Sequence, residues 1–205
     1  MNMASISFDC PMLCACISTL SNTSLDDHCS NRMQHEYMTK SNLPVYDLDM
    51  LKTKYFETLS CCEEACSADA LFVDNAGKGI IIEFKNGHIS SKEAFGVLKK
   101  AYDSTIVLAD LCNFHVSSAR EELDFVLVYN KNKNYDESWS GGKRASDEPK
   151  RERHFDAIQD QVSKLAKTRI DRFGLKKLEG YLFRNVYTYT ESEFEQLFVN
   201  VNDVE

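Results

Sequence analysis

From Asp47 onward the apolar positions of this chain fall into two alternating rhythms. Leu48, Leu51, Tyr55, Leu59 and Cys62 recur every three or four residues, the spacing of one helix face, and Asp47 stands where an N-cap belongs. Two short apolar runs follow, at 69–74 and 79–85. They are joined by Asn75-Ala76-Gly77-Lys78 and read as two strands of a hairpin. Asn86-Gly87 breaks the chain, and Ser90 with Glu93 is a capping-box signature that opens a long helix to about Leu111. In that helix Phe95, Leu98, Tyr102, Ile106 and Leu108 or Ala109 form the expected core-facing side. The 123–129 run is a further strand, and its Phe125-Val126-Leu127-Val128 centre suits burial on both faces.

Outside this centre the pattern weakens. Residues 1–40 are polar, dotted with cysteines and without clean periodicity, and read as a loosely ordered or partly helical N-terminal extension. Residues 41–205 read as a single domain with a mobile 130–151 loop, rich in Asn and Gly and carrying the one tryptophan, Trp139. After the loop, Phe155, Ile158, Val162 and Leu165 mark a helix from Glu152 to about Ile170. Residues 178–189 suggest one or two strands. Thr190 with Glu193 caps a final helix holding Phe194, Leu197 and Phe198. The order helix, strand, strand, helix, strand, with a helical crossover after Ile82, predicts an α/β fold with a mixed central sheet.

The hairpin carries the candidate chemistry. Residues two apart on a strand share a face, so Glu83 and Lys85 emerge together while Phe84 turns to the other side. Pairing of the two runs brings Asp69 beside Glu83. Two carboxylates and an ammonium on one patch suit Mg²⁺ or Mn²⁺, because a hard cation prefers oxygen ligands, keeps several waters and needs only one or two carboxylates. Such an ion polarises a phosphoryl oxygen and activates a bound water. Asp69 and Glu83 are the expected ligands, the Phe84 backbone carbonyl a third, and Lys85 the group that positions the water or steadies developing charge. The competing reading is a same-face salt bridge on a solvated strand end. The Ile80-Ile81-Ile82 run before Glu83 favours the site, since ionised side chains on a buried strand are costly without a purpose.

Asp69, thirteen intervening residues and then Glu83-x-Lys85 resemble the PD-(D/E)xK nuclease superfamily over roughly residues 45–130, with Ala68 where that family carries a proline. The resemblance implies a restriction-endonuclease-like core: a mixed central β-sheet flanked by helices, here with extra C-terminal strands and helices. It implies a Mg²⁺- or Mn²⁺-dependent endo- or exonuclease, acting on DNA rather than RNA, in restriction, phage defence or repair. Members of the family often add an acidic residue from the preceding helix, for which Glu57, Glu63 and Glu64 are candidates, the last two nearer the strand. Many also carry a Gln, Lys or Tyr on the following helix, which singles out Lys99 and Tyr102. The Q-x-x-x-Y pattern of one branch is absent. Nucleic acid is the implied partner, a homodimer is an option because many members dimerise to cut two strands, and no membrane is involved. The alternative is a non-catalytic nucleic-acid or protein binding domain on the same fold.

The net charge of −8 opposes nucleic-acid binding, but it is unevenly spread: residues 131–177 hold 13 Lys/Arg against 8 Asp/Glu. The eight cysteines raise a third possibility, a metal- or thiol-dependent enzyme or sensor. There is no C-x-x-C pair and no histidine at zinc-finger spacing, so reduced thiols are the expectation, with the middle group of Cys61, Cys62 and Cys66 packed in the core. No apolar run approaches the roughly 20 residues needed to span a bilayer. The N-terminus lacks the basic region of a secretory signal, so a cytoplasmic location is expected.

Overall fold

The computed structural model describes residues 5–26, 36–60, 63–134 and 173–202. Within them, α1 (Pro11–Cys14), β1 (Ile17–Thr19), α2 (Leu20–Thr23) and β2 (Leu25–Asp26) precede β3 (Glu36–Tyr37), β4 (Pro44–Asp47) and α3 (Leu48–Glu57). The centre is β5 (Ala70–Val73), β6 (Gly79–Lys85), α4 (Ser91–Leu111), α5 (Val116–Glu122) and β7 (Leu123–Tyr129). After the 135–172 stretch come β8 (Asn185–Thr190) and α6 (Glu191–Phe194), which continues through a π-helical turn (Glu195–Val199) into Asn200–Asn202. The expected loop residues beyond 134, Trp139 and the expected helix at 152–170 lie outside the described residues.

The fold is α/β with a mixed six-stranded sheet in the order β1-β4-β5-β6-β7-β8, flanked by helices. β1, β4, β5 and β6 pair antiparallel, whereas β6–β7 and β7–β8 are parallel. The parallel β6–β7 pair requires the crossover that α4 supplies. The segment read as an appended extension contributes an edge strand: β1 pairs with β4, Ser18 opposite Val45. Neither β1 nor β4 was legible, because both are short and carry no alternating apolar pattern long enough to register.

Each predicted element at the centre has a visible local cause. The Asp47 carboxylate accepts from the Met50 amide at 2.8 Å and starts α3. Ser90 accepts from the Glu93 amide at the head of α4, and Thr190 with Glu193 completes a reciprocal capping box on α6. Of the 178–189 region one strand forms, β8, preceded by a 3₁₀ turn at Lys176–Leu178.

Alternation along β5, β6 and β7 divides the core into two. Leu71, Ile81, Phe125 and Leu127 face the side covered by Leu48 and Leu51 of α3 and by Val97, Leu98, Ala101 and Leu108 of α4. Phe72, Ile82, Phe84, Val126 and Val128 face Phe194 and Phe198, whose rings stack 4.8 Å apart. Glu83 has the parity of Ile81 and therefore points beneath α4.

The expected inward face of α4 is corrected in part: Leu98 and Leu108 are buried as expected and Tyr102 is half-buried, but Phe95 and Ile106 turn outward. Phe95 and Ile106 are 69% and 64% exposed, while Val97, Leu98, Ala101, Ser104, Thr105 and Leu108 are buried. Both sets obey helical spacing. The set containing Ala101, Ser104 and Thr105 lets the helix axis lie close to the sheet, and the bulky residues rotate outward. Leu197 is likewise 48% exposed, because the π-helical turn carries it off the face shared by Phe194 and Phe198.

The described cysteines, Cys10, Cys14, Cys16, Cys66 and Cys112, are free thiols, Cys16 buried and Cys66 half-buried. Burial, with Cys10 alongside, pushes the Cys112 thiol up to about 12, far from the thiolate that nucleophilic or redox chemistry requires. No described helix is long and apolar enough to cross a membrane.

Candidate active site

Asp69 is placed by three elements. Its amide donates to the Ile82 carbonyl at 3.1 Å, and its own carbonyl accepts from the Leu48 amide at the head of α3, 3.2 Å. The approach to it is held from α4: Asp103 Oδ2 accepts from the Cys66 amide and Ser104 Oγ from the Ala68 amide, each at 2.8 Å. Ser67 Oγ donates to Asp49 of α3. Ala68 is fully buried, so Ser104→Ala would leave its N–H without an acceptor. Unfolding in urea should then show a loss of about 1–3 kcal/mol. A loss below about 0.5 kcal/mol would mean that Ser104 is not what fixes this segment.

β5 ends its pairing with β6 at Ala70 opposite Ile82, so the last residues of β6 run past it. The freed Phe84 amide donates instead to Asp69 Oδ2, 2.6 Å. A strand residue directs its N–H and C=O to the same edge, so the Phe84 carbonyl also emerges on the Asp69 side. Glu83 and Lys85 lie side by side as the spacing requires, with Lys85 Nζ 2.7 Å from Glu83 Oε1. The Glu83 side chain is wholly buried.

A fourth group, missed by the sequence reading, completes the cluster. Lys100 of α4 reaches down to the strands and places Nζ 2.8 Å from Glu83 Oε1, 3.0 Å from Glu83 Oε2 and 3.4 Å from Asp69 Oδ1. Glu83 Oε1 thus lies near two ammonium groups, yet neither contact is aligned as a hydrogen bond. The signal for Lys100 was its position, three residues after Val97 and four before Ser104, which sets it on the buried side of α4. The wrong choice of inward face hid it.

The helix residues named from sequence go elsewhere. Lys99 Nζ bonds Asp103 Oδ2 at 2.8 Å and Cys66 Sγ at 3.1 Å on the outer side of α4. Tyr102 packs half-buried against the core, about 200° round the helix from Lys100. Glu64 lies 3.6 Å from Lys52, and Glu63 and Glu57 are exposed. From α3, Asp49 is tied to the approach to Asp69 through Ser67, and its charge helps hold the proton on Lys100.

Burial and the neighbouring Glu83 carboxylate push the Asp69 carboxyl up to about 8, against the pull of Lys100, the Phe84 amide and Lys85. Lys100 sits closer to Glu83 than to Asp69, so Glu83 takes the larger share of its charge. Burial opposes the ammonium of Lys100, but Asp69 and Glu83 outweigh it and raise its pKa above the ordinary lysine range. The metal-free cluster thus sets Asp69, its carboxyl pushed up by burial and by Glu83, beside the Glu83 carboxyl and the Lys85 and Lys100 side chains.

Among the described residues no three His, Cys, Asp or Glu side chains gather into a cage for a metal ion. The donors at hand are two carboxylates and the Phe84 carbonyl. This oxygen-only, incomplete set suits an ion that keeps several of its waters, such as Mg²⁺, and is unsuited to zinc. Glu83 Oε1, which no hydrogen bond is aligned with, and Asp69 Oδ1, held only by a 3.4 Å contact to Lys100, are the oxygens that fit such an ion. No protein-family model, curated protein or solved structure matches the chain.

Proposed function

We propose that this protein is a divalent-metal-dependent phosphodiesterase that hydrolyses nucleic acid, with DNA the favoured substrate. The observation that carries this reading is the convergence of Asp69, Glu83, Lys85 and Lys100 at the end of a buried strand, with Glu83 Oε1 lacking an aligned hydrogen bond. Buried ionisable groups that crowd one another are concentrated at functional sites. A purely structural role would be served at least as well by apolar packing at this depth.

In this reading Asp69 Oδ1, Glu83 and the Phe84 carbonyl would hold Mg²⁺ or Mn²⁺. When bound, the ion supplies a Lewis acid for the phosphoryl oxygen and a water of lowered pKa. The chain's own residues do the rest. The Phe84 amide pins Asp69 Oδ2 and leaves Oδ1 facing the site. Lys85, a quarter exposed and anchored by Glu83, stands where it can orient the attacking water and offset charge that builds on the phosphate. Glu83 lies on β6, and Asp69, in the bend just before β5, is fixed by its backbone bonds to Ile82 and Leu48 and by the Phe84 amide.

The test is cleavage of end-labelled single- and double-stranded DNA and RNA with Mg²⁺ or Mn²⁺, against a chelator control. Metal-dependent cleavage of a DNA substrate is the expected result. Inactivity on all four substrates, with binding of one of them retained, would move the protein to the non-catalytic alternative.

A further inference from the structure

Lys100 touches both candidate metal ligands at once, whereas Lys85 touches only Glu83. Its ammonium fills the notch in which an ion would have to reach Asp69 Oδ1 and Glu83 together. Metal–oxygen bonds to Mg²⁺ are about 2.0–2.1 Å long. An ion bound that closely to the same oxygens cannot share the notch with a second cation 3 Å from them, because the repulsion of a divalent and a monovalent charge at that range is large in a half-buried site.

We infer that Lys100 is the resident cation of this site in the metal-free protein, and that its ammonium leaves the notch between Asp69 and Glu83 whenever a divalent ion binds there. The inference rests on the proposed metal-dependent chemistry and adds a positioning residue to it. The side chain is suited to the exchange. The side chain as a whole is about one quarter exposed, and four methylenes allow its ammonium to swing toward solvent without moving α4. Lys85, 2.7 Å from Glu83 Oε1, stays in place and keeps that carboxylate aimed.

Two consequences follow from the same geometry. Without metal, Lys100 bridges Glu83 and Asp69 from α4, so the two side chains are already drawn together before an ion arrives. With metal, the displaced ammonium remains beside the ion at the rim of the notch, where it can meet a phosphate oxygen. The occupant of the notch thus changes from the protein's own charge to the ion, and metal affinity is set by that competition.

The experiment combines calorimetry with residue-resolved labelling, using the full chain and Mn²⁺ alone as the probe, without nucleic acid. Lys100→Gln is expected to bind Mn²⁺ about tenfold more tightly than wild type, since a competing charge has been removed. In wild-type protein, amine acetylation of Lys100 read by mass spectrometry should rise several-fold at saturating Mn²⁺. Lys99, paired with Asp103 on the outer side of α4, serves as the unchanged internal reference. If Lys100→Gln fails to fold, the wild-type labelling alone decides. Mn²⁺ binding by wild type with no change in Lys100 labelling, or unchanged or weaker binding by Lys100→Gln, overturns the inference and leaves the proposed function standing. No Mn²⁺ binding by either protein overturns both.

Discussion

Asp69→Asn is expected to move stability and activity in opposite directions. The Asp69 carboxyl is pushed up to about 8 in the fold from an ordinary value of 3.8, by burial first and then by Glu83. The folded protein therefore keeps this proton over a pH range in which the unfolded chain has released it. Stability contributed by the proton is complete below about pH 4, declines as pH rises and is gone above about pH 8. Lys100, with its pKa raised above the ordinary lysine range, stays charged throughout that window and does not offset the decline. Asparagine carries no charge at any pH and can still accept from the Phe84 amide. In metal-free buffer the melting temperature of Asp69→Asn should match wild type at pH 4 and exceed it increasingly toward pH 8. Metal-dependent cleavage by the same variant should fall by at least about 10²- to 10³-fold, the usual cost of deleting one preorganised electrostatic group. A variant that is less stable than wild type at pH 8 would show that Asp69 is ionised and structural. A variant that keeps its activity would remove Asp69 from the metal ligands.

Glu83→Ala should be the most destabilising single change in the cluster. It strips the shared counter-ion from Lys85 and Lys100, which lie 2.7 and 2.8 Å from Oε1, and opens a void beneath α4. Breaking a buried ion pair from one side costs about 3–5 kcal/mol. Both lysines can partly escape to solvent, so the lower end of that range is expected in urea unfolding at pH 7. The double variant Glu83→Ala/Lys100→Met should recover part of the loss, because a thioether fills space and needs no partner. The expected coupling is about 1–2 kcal/mol, within the range found for contacting residues. Additive losses would mean that Glu83 and Lys100 do not act as a pair, and the cluster as described would be wrong.

The parts of the site that could be read in advance are those set by local spacing. Glu83 and Lys85 share a face because they are two apart on one strand. Asp69 falls beside them because the short turn between Val73 and Gly79 returns the chain antiparallel, with Leu71 opposite Ile81. The candidate metal ligands needed no more than this. Lys100 was out of reach for a different reason. Helical periodicity states how wide an apolar face is but not which of two overlapping phases the sheet will accept. The choice between Phe95–Ile106 and Val97–Ala101–Ser104 is made by how closely the backbone can approach. The accessory acids failed similarly: Glu57, Glu63 and Glu64 are near Asp69 in sequence, whereas Asp49 comes near it through Ser67, across a contact between separate elements.

By itself, then, the sequence determined the central strands and helices, their caps, the α/β class and the pairing of two carboxylates with a lysine. These depend on residue period, turn chemistry and side-chain donors, all of which act within a few neighbours along the chain. Only the tertiary structure decided that β1 and β4 complete the sheet, that Lys100 and not Lys99 enters the cluster, and that Asp69 holds its proton near neutrality. Those outcomes arise from burial and from charges far apart in sequence brought within 3–4 Å, where the cost of desolvation and the Coulomb term are both largest.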